Sequence, residues 1–122
     1  MSTRAQVRFA TREDGVSFSE HPDKIHAQFY VHGDGYPEGL GLQIATSISS
    51  DSPSTSFYGE IEHVQVKRGD LDYIYYIWSD YDKETWISIF ETQYSISYDD
   101  DKCIFVGKAS DLIKKYKINT ND

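Results

Sequence analysis

Residues 25–48 read Ile25-His26-Ala27-Gln28-Phe29-Tyr30-Val31-His32, then Gly33-Asp34-Gly35-Tyr36-Pro37-Glu38-Gly39-Leu40-Gly41, then Leu42-Gln43-Ile44-Ala45-Thr46-Ser47-Ile48. The first eight residues alternate. Ile25, Ala27, Phe29 and Val31 fall on one face, and His26, Gln28, Tyr30 and His32 on the other, the pattern of a half-buried strand. The period then changes. Leu40, Ile44 and Ile48 recur every four residues, which predicts a helix from about Pro37 to Ile48 with this stripe on a sheet. Pro37 suits the first helical position and Glu38 the positive end of the helix dipole. Gly39 and Gly41 weaken the first turn.

The flanking segments add strands. Arg4 to Thr11 alternates, with Ala5, Val7 and Phe9 together. Val16 to Ser19 reads as a short return strand, broken by His21-Pro22-Asp23. Phe57 to Lys67 alternates imperfectly, so a bulge or break is expected near His63. Tyr73 to Trp78 is apolar on both faces, as a central covered strand would be. In Thr85 to Glu91, Trp86 and Phe90 share one face and Ile87 and Ile89 the other. Gln93 to Tyr98 and Lys102 to Val106 complete what reads as a meander. Ser110 reads as the N-cap of a short helix with Leu112, Ile113 and Tyr116 inward. The expectation is one α+β domain over residues 1–118 and a frayed tail at 119–122. Its sheet is mainly antiparallel, with about six to eight strands, one helix after the third strand and a short C-terminal helix.

Composition agrees with a sheet. The 122 residues include 18 Ile and Val and 18 aromatics, against four Leu and five Ala, and β-branched and aromatic side chains suit a pleated surface. No run reaches the ~20 apolar residues a bilayer requires. The opening Met1-Ser2-Thr3-Arg4-Ala5 lacks the apolar core of a signal peptide. The single Cys103 rules out a disulfide framework and reads as a buried, inert thiol.

The net charge of −8 is concentrated. Residues 70–101 hold nine acids and one base, Lys83, whereas residues 102–122 hold five lysines and two aspartates. Such a block repels bare nucleic acid and anionic membrane and favours cationic partners or metal; its plain reading is solvated hairpin loops that keep a Tyr-rich sheet soluble. Asp80, Asp82, Asp99, Asp100 and Asp101 are its candidate contact residues. Tyr73, Tyr75, Tyr76 and Trp78 suggest either sheet core, a stacking platform or a homodimer face.

The densest cluster of special residues is 32–39. Three readings compete there. Gly33, Gly35 and Gly39 ahead of a helix resemble a phosphate cradle, but the spacing departs from known fingerprints and Asp34 and Glu38 would repel the anion. His32, Asp34 and Glu38 offer one nitrogen and two carboxylates to a divalent metal, without matching a zinc pattern. The third reading is structural: Gly33 and Gly35 supply positive φ, Asp34 caps amides, and Tyr36 packs over the sheet edge. The same loop could also recognise a ligand or partner through His32, Asp34, Tyr36 and Glu38.

The opening Ser2-Thr3-Arg4-Ala5 and the run Phe29 to Gly39, with its His-x-Asp-Gly-Tyr-Pro-Glu-Gly turn, resemble small proteins of tailed phages and prokaryotic mobile elements. The resemblance is specific over residues 2–10 and 28–44 and generic afterwards, as at Asp72 to Phe90. Residues 15–24 stand as an extra hairpin that shorter relatives lack. The resemblance implies a cytoplasmic accessory protein of viral or mobile-element origin; it brings context and no mechanism. The leading expectation is a non-enzymatic, cofactor-free binding protein that inhibits or sequesters a host defence component. It would do so through the acidic face or the 32–39 loop, with a basic nucleic-acid-binding host protein as partner. The alternatives are a metal-assisted phosphoester hydrolase using His32, Asp34 and Glu38, and a structural oligomer.

Overall fold

A computed structural model of the chain describes residues 3–12, 20–22, 24–31, 33, 35–48, 61–63, 70–79, 85–92 and 101–116. Among the described residues six strands form one sheet: β1 (Ala5–Thr11), β2 (Lys24–Val31), β3 (Ile61–His63), β4 (Tyr73–Ser79), β5 (Thr85–Glu91) and β6 (Lys102–Gly107). Their spatial order is β3-β2-β1-β4-β5-β6. Five strands run six to eight residues, and β3 is a three-residue edge strand. The expected strand over 57–67 is thus described only at Ile61–His63, and those at 16–19 and 93–98 lie outside the described residues. Helices α1 (Leu42–Ile48) and α2 (Ala109–Tyr116) follow β2 and β6.

The sheet is mostly antiparallel but is not a simple meander. β4 enters beside β1 and runs parallel to it, in register from Ala5↔Tyr73 to Thr11↔Ser79. A strand apolar on both faces loses least when it is flanked by strands and covered on both sides. β4 takes that place, with Ile74, Tyr75, Tyr76 and Trp78 all buried. Tyr75, Tyr76 and Trp78 are therefore sheet core, while Tyr73 at the start of β4 stays part-exposed.

One face packs on the helices: Ala5, Val7, Val31, Tyr75, Ile87, Ile89 and Phe105 meet Leu40, Ile44, Ala45, Ala109 and Leu112. Each fully buried aliphatic chain contributes about 1.5–3 kcal/mol. The opposite face joins Ala10, Tyr30, Leu71, Ile74, Tyr76, Trp78 and Phe90. Trp78 donates its indole N–H to Ser88 Oγ at 2.7 Å and stacks on Trp86, while the Arg12 guanidinium lies 4.3 Å over the Trp78 ring.

Two bulges adjust the faces. Phe9 pairs with Ala27 but Ala10 with Ile25, so His26 is the extra residue on β2. Ile25 consequently packs on the far cluster rather than with Phe29 and Val31, against the strict alternation expected. Ile104 is the corresponding extra residue on β6. In α2, Leu112 is buried, Ile113 and Tyr116 pack on the same cluster, and Tyr116 meets Phe105 edge-on. Its N-cap differs from expectation. The helix starts at Ala109, and the Asp111 carboxylate accepts the Lys108 N–H at 3.2 Å. Asp111 reaches back as in a capping box, which takes the cap away from Ser110.

Candidate functional site

The predicted helix over 37–48 is present, but its first turn is π-helical, Pro37–Gly41, before α1 begins. The Leu42 N–H reaches the carbonyls of both Gly39 and Pro37. Single π turns occur frequently at functional sites. Here the widened turn coincides with close packing: a Cβ on Gly41 would stand 3.3 Å from the Tyr75 ring. Leu40 and Ile44 are buried on the sheet as predicted, and the Ile48 side chain lies outside the description.

The turn before it is clamped. The Gly35 N–H donates to the Thr3 carbonyl at 2.9 Å, and the buried Tyr75 hydroxyl donates to the Gly35 carbonyl at 2.5 Å. A Cβ on Gly35 would lie 2.7 Å from Ala5 Cβ and 3.0 Å from Thr3 O. Gly35 does not occupy the left-handed region. Its requirement is therefore close approach to β1, a correction to the expected positive φ. Tyr36 is 41% exposed, the only large hydrophobic so exposed among the described residues.

Glu38, two residues on, is also exposed. Three tyrosines converge on its charge. Burial first, then nearby charges including Glu38, raise the ionisation of Tyr73, Tyr75 and Tyr116 above the ordinary tyrosine value, Tyr75 most of all. Glu91 and Asp72 add to the negative potential at Tyr73. Glu38 thus lies within electrostatic reach of part-exposed Tyr73 and Tyr116. His32 and Asp34 lie outside the described residues. Among the described residues no three His, Cys, Asp or Glu side chains group closely enough to hold a metal.

The acidic block divides. Asp70 accepts the Tyr30 hydroxyl at 2.8 Å and faces Arg4 Nε at 3.6 Å, while Asp72 accepts the Arg4 N–H at 2.9 Å. These two acids tie the start of β4 to β1 and β2. Asp80, Asp82, Asp99 and Asp100 lie outside the described residues. Asp101 does not serve an exposed acidic face: its side chain has no exposed surface and lies 3.6 Å from His21 Nε2.

That imidazole belongs to a cluster the sequence did not single out. His21 stacks on Phe90 at 4.0 Å, and its Nδ1 is 2.5 Å from the Tyr76 hydroxyl. Arg8 Nη1 donates to the same hydroxyl at 2.7 Å. Alternation puts Arg8 on the polar face of β1, but only the β1–β4 register sets it opposite Tyr76. Cys103 is half-buried, and burial raises its thiol above the ordinary value, as an unreactive thiol requires. No protein-family model, curated protein or solved structure matches this chain.

Proposed function

We propose that this chain is a non-enzymatic binding protein of phage or mobile-element type that captures a basic partner, such as a host nucleic-acid-binding protein. The observation that supports this reading most is the exposure of both Tyr36 and Glu38 at the end of a clamped turn, with the Glu38 charge felt at part-exposed Tyr73 and Tyr116. Aromatic faces with nearby carboxylates suit Arg or Lys side chains, by cation–π attraction and ion pairing together. The turn is held by two backbone-directed hydrogen bonds and by steric contact with β1. Little ordering entropy is then lost when a partner docks. The net charge of −8 steers such a partner toward the chain.

Calorimetric titration of the full chain with an arginine-rich peptide tests the reading. Tyr36→Ala and Glu38→Lys should each weaken binding about tenfold, or about 1.4 kcal/mol. Their melting temperatures should stay unchanged, since both side chains are exposed. Added salt should weaken binding in the unaltered chain. Absence of peptide binding, or equal affinity in both variants, refutes the proposal. A charge reversal at Asp80, Asp82, Asp99 and Asp100 separates the turn from the acidic block: full affinity there assigns docking to the turn alone.

A further inference from the structure

The sheet end where β4 begins joins an aromatic ring to a carboxylate and a cation. β4 and β5 pair so that Tyr73 stands directly opposite Glu91, and β5 and β6 pair so that Glu91 stands directly opposite Lys102. Directly opposed residues of neighbouring strands share a face, with Cβ atoms about 4.5–5.5 Å apart. That face is the helical one. Tyr73 packs on its cluster, and Glu91 continues the alternation of Ile87 and Ile89, which are buried in it. Tyr73 is part-exposed, and Glu91 and Lys102 are exposed. The three form a row across three strands within reach of solvent.

The helical layer adds to this row. Tyr116 of α2 meets Phe105 edge-on, and Phe105 opposes Ile89 on the same face. α2 also packs against the π-helical turn that carries Glu38. Burial raises Tyr73 first, and among the charges that add to it Glu91 precedes Glu38. Glu91 therefore contributes more negative potential at this ring than the turn does. A guanidinium on a tyrosine face with a carboxylate at the rim gains cation–π attraction and a charge-assisted hydrogen bond. Lys102 offers Glu91 a cation from within the chain, but a pair between exposed side chains is weak and readily exchanged.

Resting on the reading that the chain captures a basic partner, we propose that the docking surface extends from the turn to this end of the sheet. There Tyr73 and Glu91 hold one arginine of the partner, and Lys102 is the resident cation which that arginine displaces from Glu91. Glu38 and Glu91 then act from separate elements, one on the turn and one on β5. The ladder fixes the position of Glu91 relative to Tyr73, so the sheet end selects a cation that can lie on the ring and reach the carboxylate together. Lys102 sets the threshold for entry.

The test is calorimetric titration of the full chain with the same arginine-rich peptide. Lys102→Ala should tighten binding about threefold, the scale of one exposed charge pair, and Glu91→Gln should weaken it by a similar factor. In the double variant the gain from Lys102→Ala should vanish, because the charge it frees is gone. Lys24→Ala makes the same charge change at the other end of the sheet, about 20 Å away by strand rise, and should leave affinity nearly unchanged. All three side chains are exposed, so the variants keep the fold. Binding by Lys102→Ala no tighter than by Lys24→Ala, or a gain that persists without Glu91, overturns the proposal. If Tyr36→Ala still weakens binding in that case, the turn docks the partner without the sheet end. Failure of both the unaltered chain and Lys102→Ala to bind the peptide overturns the two together.

Discussion

Gly35→Ala probes whether the 33–36 turn is a rigid platform. The added Cβ would meet Ala5 Cβ at 2.7 Å, Thr3 O at 3.0 Å and Ala5 N at 3.2 Å. Two of these three atoms are backbone within or entering β1, so no side-chain rotation relieves them. Overpacking of this kind costs about 1–3 kcal/mol. The stiffer unfolded chain returns about 0.4–1 kcal/mol. The net loss is then about 1–2 kcal/mol, and at this length it lowers the melting temperature by about 4–8 °C. Thermal and urea unfolding read the change, with the urea midpoint falling and the slope unchanged. An Ala variant that melts with the parent would refute the argument. It would mean that the turn stands off β1 and that Tyr36 is presented on a yielding loop.

Three further outcomes follow from the packing. Tyr75→Phe removes the hydroxyl that holds the Gly35 carbonyl and should cost about 0.5–1.5 kcal/mol near pH 7, measured by urea unfolding. Burial raises Tyr75 well above the ordinary value of 10.0, so the neutral phenol favours the fold. That contribution is complete below pH 10 and is lost as pH rises toward the folded-state value; alkaline unfolding should therefore be blunted in Tyr75→Phe. Leu112→Ala opens space between α2 and the π-helical turn and should cost about 2–5 kcal/mol, read by calorimetry. At pH 8, native Cys103 should alkylate more slowly than the unfolded chain by mass spectrometry, because burial raises its thiol.

The acids of residues 70–101 show why charge alone is a poor guide to surface. Asp70, Asp72 and Asp101 belong to one run of sequence, yet each is engaged by a group from a distant strand or loop. Charge blocks record composition along the chain, whereas exposure depends on which strands become neighbours. The 32–39 segment behaves differently. Its glycines mark a tight turn in the sequence, and at Gly35 the requirement is the approach of Ala5 rather than backbone handedness.

Local periodicity was sufficient for the strands β1, β2, β4, β5 and β6, for the Leu40–Ile44 stripe and for the inward face of α2. The spacing of apolar residues locates these elements, but in β1 and β2 it does not state which face is buried, since Gln6, Gln28 and Tyr30 on the expected polar face are buried as well. Periodicity carries no information about partners. The parallel pairing of β1 with β4, the bulge that turns Ile25 to the far face, and the meeting of Arg8, Tyr76, His21 and Asp101 all depend on contacts between distant positions. Arg8 and Tyr76 are 68 residues apart. Only the packed sheet, choosing the register that buries both faces of β4, could set them side by side.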